Sequence, residues 1–360
     1  MNHNATHIHQ GVQIRYPVEP LRALVAELFF RAGLDQDKAA TVAASLLDAD
    51  MMGHTTHGLI LVPWYLEAVG SGSMYRTGDV DVISDRGACA AWDGKRLPGS
   101  WLIHRAIDLA LKRVPLHGTF TITIAGAHHT GALATYLPRL TSQGLMPILS
   151  CSGPAAAGVA PYGGTSPLFT PNPIAAGIPT THDPILLDIS SSITTNNRAR
   201  QLSREGKRLP GLWAIDAQGQ PTDDPAVVVQ EGGSLLPVGG LDHGHKGYGM
   251  ALLVEALTQG LSGLGRNSRP NGVLMNVFLQ VIDPAAFGGV EAFVTESTWL
   301  TQACKSNPPR SGVHKVRVPG EQAMKLHRAS TQNGVTLSDT VMSALAEHLS
   351  AAGLPVPTPA

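Results

Sequence analysis

Three short segments of this chain bring together side chains that can move a proton or hold an anion. The first is Gly53-His54-Thr55-Thr56-His57-Gly58, running on to Tyr65. An imidazole titrates near neutral pH, so His57 can exchange a proton with an alcohol or carbonyl oxygen, while hydroxyls from Thr56 and Tyr65 orient the reactants. A helix over His57–Val69, capped by Thr55 or Thr56 and stopped by Gly70, would put His57, Leu61 and Tyr65 on one face at i, i+4 and i+8. The same residues also read as a capping histidine and a core tyrosine.

The second segment, Gly126-Ala127-His128-His129-Thr130-Gly131, follows a strand-like run and precedes an apolar helical pattern. Ligands gather at that position, beyond the carboxyl ends of parallel strands. A histidine there suits proton exchange with a substrate oxygen, or it merely satisfies nearby backbone. The third segment is Gly244-His245-Lys246-Gly247-Tyr248-Gly249, opening a long apolar helix. Glycines admit a close ligand, the helix N-terminus favours an anion, and Lys246 adds a positive charge. Alternatively, the glycines serve tight packing against a neighbour. Two further segments, Pro171-Asn172-Pro173 and Asp188-Ile189-Ser190-Ser191-Ser192, offer amide, carboxylate and hydroxyl groups to ribose or phosphate oxygens, or are ordinary turn chemistry.

These segments need elements to hold them. Leu21, Leu24, Val25, Leu28 and Phe29 form a helical stripe within Val18–Arg31, closed by Gly33. A second helix should start near Asp35 as cap and run through Ala40, Val42, Leu46 and Leu47. Phe120–Ile124 is β-branched and strand-like; an apolar helical pattern over Ala132–Ser142, kinked by Pro138, and a second strand at Met146–Ser150 complete a β-α-β unit with parallel pairing. Ile185–Asp188 is a further strand. The intervals near 200–234 and 262–272 read as loops, helix returns at Gly247, and the terminal LPVPTPA cannot be helical. No GxGxxG follows a strand, so the common dinucleotide fingerprint is missing.

Composition narrows the classes. With 360 residues, 43% hydrophobic, the chain can bury a large core in two domains. A formal net charge of -1 gives no basic footprint for nucleic acid or an anionic membrane. No run approaches the roughly 18 apolar residues of a membrane span, and the polar start MNHNATHIHQ carries no apolar signal core. Cys89, Cys151 and Cys304 are odd in number and unpaired by spacing, which suits a reducing cytoplasm. His3, His7 and His9 lack a partner ligand cluster, so no metal is expected there.

In their order, DMMGHTTHGLILVPWY, AGAHHTGALATY, FTPNPIAAGIP, LLDISSS, DHGHKGYGMALLVEAL and VPGEQA resemble the type-2 malate/L-lactate dehydrogenase family, over nearly the whole chain. The resemblance implies a non-Rossmann α/β fold: a central cofactor domain over 73–240, a helical domain from 1–72 and 241–360, and a homodimer. It implies an NAD- or NADP-dependent oxidoreductase interconverting a small 2-hydroxy acid and its 2-oxo acid. His57 and His129 would be catalytic. Thr56 and Tyr65 would meet the substrate. Cofactor contacts would fall on Asn172, Asp188, Ser190, Ser191, Ser192, His245, Lys246, Gly247, Pro319, Gly320 and Glu321. The arginine that many members carry four residues after the first histidine is Leu61 here, and Arg198 is the candidate replacement clamp for the substrate carboxylate. Two rival readings remain: an inactive NAD(P)-binding homologue, and a metal-dependent hydrolase built on His54, His57, His128 and His129.

Overall fold

The computed structural model describes residues 14–359; His3, His7 and His9 lie outside them. The apolar run at 120–124 sits inside a longer strand, Thr119–Ala127, buried along most of its length. Seven strands form one sheet, in the spatial order Asp81–Asp85, Cys89–Asp93, Thr119–Ala127, Met275–Ile282, Met146–Ser152, Ile174–Ile178 and Ile185–Ile189. The parallel pairing expected between the strands at 119–127 and 146–152 is not made. Met275–Ile282 lies between them and runs antiparallel to both. The parallel pair is instead Cys89–Asp93 with Thr119–Ala127, joined by the crossover helix Gly99–His117. Met275–Ile282, with Val277, Leu279 and Val281 fully buried, is a strand covered on both faces inside the stretch 241–360 that was expected to be helical.

The first two helices form as the apolar stripes predict: α1 over Val18–Arg31 and α2 over Gln36–Met51. Gly33 ends α1 in a left-handed conformation (φ 105°). Asp35 occupies the cap position of α2, but its carboxylate accepts from Lys38 Nζ at 2.8 Å rather than from the helix amides. Val25, Phe29, Val42, Leu47 and Val62 pack with Val335, Leu345 and Leu349 from the other end of the chain. Each such buried side chain contributes about 1.5–3 kcal/mol of burial free energy. The sheet has its own core, in which Ile103, Ile107, Phe120, Ile124 and Leu149 meet Val277 and Leu279.

Three local expectations need correction. The segment after His57 does not start as α-helix. A turn carries Thr55–Gly58, a single 3-10 turn covers Leu59–Leu61, and α3 runs over Val62–Gly70. Pro63 explains it: lacking an amide proton, it fits the first turn of a helix and not the interior. Pro138 likewise splits the 132–142 pattern into a 3-10 turn, Leu133–Tyr136, and a short helix, Pro138–Thr141. The interval 200–234 is not all loop. It holds most of a helix at Asn196–Arg204, a second at Ala226–Gln230 and a small three-stranded sheet, around a satellite core of Leu202, Leu209, Ala214 and Val227. Among the described residues no helix is long and apolar enough to cross a membrane.

Candidate active site

The turn after α2 and the loop after the strand Thr119–Ala127 bring His57 and His129 face to face. Their rings stack with centroids 5.9 Å apart and planes 13° from parallel. Tyr65, buried on α3, reaches His129 Nδ1 at 2.7 Å. The Gly131 amide lies 3.3 Å from the same nitrogen. A backbone N–H can only donate, so Nδ1 is an acceptor. The Tyr65 hydroxyl therefore donates to it as well, and the neutral ring carries its proton on Nε2. Thr56 Oγ1 lies 2.9 Å from His57 Nδ1, where a hydroxyl can either donate or accept. Tyr65 and His57 thus meet at one site although they share no helical face. Two elements fix the spacing, not one.

Burial dominates the electrostatics. It lowers the His57 pKa to about 4, with the neighbouring charge of His54 adding to the shift. The same cause brings His129 to about 3, with His57 and His128 contributing. Burial also pushes the Tyr65 phenol well above its usual range, so it stays protonated as a donor. Trp64 stands edge-on to His129, its ring centroid 5.2 Å away, as an apolar wall. His128 is wholly buried, neither ring nitrogen has a hydrogen-bond partner among the described residues, and burial holds its pKa near 4. The Tyr136 hydroxyl donates to the Thr130 carbonyl and pins this loop from behind.

The serine and glycine segments behave differently. Ser190 donates to the Ser192 carbonyl at 2.8 Å, Ser191 to Pro171 at 2.9 Å and Ser192 to Thr194 at 2.6 Å. Asn172 is buried with φ 45°; its amide donates to Glu255 Oε1 at 2.8 Å and its carbonyl accepts from Thr170 Oγ1 at 2.6 Å. A Cβ on Gly247 would sit 2.3 Å from Val238 N and 2.5 Å from Ser191 O, so this glycine lets the helix His245–Glu255 press on backbone. His245 and Lys246 are exposed at its start. Asp188 is partly buried, accepts from the Ala134 amide at 2.9 Å, and is raised in pKa by burial. Arg198 is exposed and donates to Gln201 Oε1 at 2.7 Å within its own helix; among the described residues it makes no hydrogen bond to either histidine. Leu61 packs against the helical core.

A cavity of 830 Å³ lies beside the site, lined by His54, Pro319 and Gly320 together with Arg310, Lys315 and Arg317. It borders His54 rather than His57 or His129. Lys315 is paired with Glu321 at 2.6 Å, whereas Arg310 and Arg317 make no ion pair among the described residues. The buried Nε2 of His54 also lacks a partner among the described residues. Free cations, an unsatisfied imidazole and a volume in the range of ligand pockets fit a dinucleotide with its anionic phosphates. Among the described residues no group of three or more His, Cys, Asp or Glu side chains is arranged to hold a metal ion. Trp64 and the Arg310–Arg317 cations escaped the sequence reading. Trp64 carries no titratable group that could mark it, and the cations lie in an irregular stretch with no motif of its own.

Comparison with known proteins identifies the family of the chain. The chain is 29% identical over 346 residues to the L-lactate dehydrogenase of Cupriavidus necator, covering 94% of this chain and 97% of that one. It is 32% identical over 307 residues to the (2R)-3-sulfolactate dehydrogenase (NADP(+)) of Chromohalobacter salexigens, covering 82% and 86%. The malate dehydrogenase structure from Pyrococcus horikoshii superposes with a TM-score of 0.85 at 26% identity, over 95% of this chain and 97% of that one. The family model for malate/L-lactate dehydrogenase matches residues 16–346. The chain belongs to the malate/L-lactate dehydrogenase family, and it is a dehydrogenase of hydroxy acids.

Proposed function

We propose that this enzyme interconverts a small malate- or lactate-like 2-hydroxy acid and its 2-oxo acid, with NAD or NADP as the redox partner. The observation that carries the reading is the stacked, neutral His57–His129 pair with Tyr65 bonded to His129. Its depressed pKa values keep both imidazoles uncharged at pH 7, as a base that must accept a hydroxyl proton requires. A bound nicotinamide would supply the hydride-transfer chemistry for the carbinol carbon. His129 presents Nε2–H and donates a hydrogen bond to the reacting oxygen. His57 takes the hydroxyl proton and returns it on reduction, with Thr56 orienting its ring. Tyr65 holds His129 in the donating tautomer.

Pro319 and Gly320, at the cavity carrying Arg310 and Arg317, would hold the cofactor's charged part, with Glu321 beside them at the start of the next helix. Asn172, Asp188, Ser190, Ser191, Ser192, His245, Lys246 and Gly247 would shape its remaining contacts. Arg198 is the proposed partner of the substrate carboxylate, since Leu61 offers no charge and an unpaired buried carboxylate is prohibitively costly. The protein works as a cytoplasmic homodimer in this reading; Cys89, Cys151 and Cys304 are unbridged thiols.

A panel of 2-oxo acids with NADH and NADPH, followed by the absorbance of the reduced nicotinamide, tests the reading. The expected result is turnover of at least one small 2-oxo acid. Leu61 favours one second reading, a homologue that binds NAD(P)H without turnover, and binding with no consumption on the whole panel would select it. Among active substrates, Arg198→Ala should raise KM for pyruvate, 2-oxobutyrate and oxaloacetate far more than Leu61→Ala. An Arg198→Ala enzyme with wild-type KM on all three removes the clamp assignment.

A further inference from the structure

Asp50 lies one residue before the end of α2 and is 7% exposed. After it the chain turns back on itself: His54 N–H bonds the Ala49 carbonyl at 2.7 Å, and His57 N–H bonds the His54 carbonyl at 2.8 Å. The turn then closes onto the helix, because the Leu59 amide donates to Asp50 Oδ2 at 2.7 Å. Gly58 crosses directly over that carboxyl group. A Cβ there would lie 2.2 Å from Asp50 Cγ and Oδ1 and 2.4 Å from Oδ2. The φ of Gly58 is -92°, outside the left-handed region, so space and not backbone conformation demands glycine.

We propose that Asp50 is the positioning residue for His57: its buried carboxyl ties the His54–Leu59 turn to α2, and Gly58 is glycine so that the turn can lie on it. The inference rests on His57 being the proton-exchanging residue. Burial raises the Asp50 carboxyl to about 7, against the pull of the Leu59 amide. A carboxyl so poorly solvated is costly to keep, and an apolar side chain would fill the same space more cheaply. What the carboxyl adds is direction: one acceptor aimed at one amide, two residues beyond the reacting imidazole. Misplacing a reacting group by an ångström costs on the order of 100-fold in rate.

The test uses D50A, D50N, G58A, the D50A/G58A double variant and H57A in the full-length enzyme. D50A and G58A should each lower kcat by about 10- to 100-fold while NADH affinity, read by fluorescence titration, stays within about twofold. D50N keeps an acceptor for the Leu59 amide and should recover most of the activity lost in D50A. The double variant should be far less impaired than the product of the two single losses, because removing the carboxyl removes what the Gly58 methyl strikes. Wild-type kcat in D50A, D50N as inactive as D50A, or losses in D50A and G58A that multiply independently would each overturn the latch. Should D50A fail to fold, D50N and G58A still decide: an inactive D50N or an unimpaired G58A sinks the idea. H57A separates the two levels of inference. Normal turnover in H57A overturns both, whereas an inactive H57A beside unimpaired D50A and G58A overturns the latch alone.

Discussion

The His57–His129 region and the segment around His245–Glu255 both look like ligand loops in sequence, with glycines flanking polar side chains, yet they are built in opposite ways. In the first, polar atoms are buried facing one another: Tyr65 meets His129, His128 has no partner among the described residues, and burial lowers the pKa of His57, His128 and His129. In the second, the hydroxyls of Ser190, Ser191 and Ser192 go to backbone carbonyls, and Gly247 serves the approach of helix to chain. Side chains carry the content of one region, and the course of the backbone carries the content of the other. A stability–activity trade-off is therefore expected in the first region, whereas in the second packing energetics should govern Gly247 and cofactor binding the exposed Lys246.

The comparison breaks most visibly at the histidines themselves. His57→Ala and His129→Ala should each lower kcat by about 10²- to 10⁴-fold, the usual reach of general acid–base groups, with the melting temperature unchanged or raised. Steady-state kinetics beside a thermal melt checks this, and near-normal turnover in either variant removes that residue from the chemistry.

Acid should single out the same region next. His57, His128 and His129 have folded-state values near 4, 4 and 3, all below the unfolded value of 6.5. The unfolded chain then binds more protons below pH 6.5, so stability present above that pH is lost as pH falls toward 4 and below. The loss is at most about 1.4 kcal/mol per pH unit for each histidine. Urea denaturation at stepped pH values measures it. His128→Leu should flatten the dependence by about one proton; an unaltered slope would show that His128 is protonated in the fold.

Gly247→Ala should act on the other region through stability, by about 1–3 kcal/mol, since the new methyl meets only backbone at Val238 and Ser191. Lys246→Ala next door should leave the melt unchanged and weaken cofactor binding. If Gly247→Ala melts like the wild type, the helix can move aside and the contrast between the regions dissolves. The smallest effect is expected from Tyr65→Phe, which removes one donor to His129 Nδ1 and should cost about tenfold in kcat with unchanged cofactor affinity.

Local periodicity reveals much of this fold, and long-range pairing very little. Leu21, Val25, Leu28 and Phe29 announce α1 because the partners that bury them need only one stripe. Met275–Ile282 carries a plain strand signal, but nothing local says that it separates two strands more than a hundred residues upstream. The site was legible as a set of histidines and hydroxyls; its assembly was not. An unbroken helix from His57 would have put Tyr65 on the same face, and Pro63 forbids that helix. Tyr65 arrives through α3 and His129 through the sheet. Asp50 gave no signal at all, since an acidic residue near a helix end reads as solvated surface.

The place of Met275–Ile282 at the centre of the sheet also sets the order in which the molecule can be made. Until that strand leaves the ribosome, Thr119–Ala127 and Met146–Ser152 each present an open edge, and these are the strands flanking the His128–His129 loop. The helical core waits longer still, for Val335, Leu345 and Leu349. Both cores therefore close only after residues 275–349 have been made, through contacts of high sequence separation that fold slowly. Chains released before residue 275 would carry two apolar strand edges ready to pair with one another, which makes early termination an aggregation hazard for this enzyme.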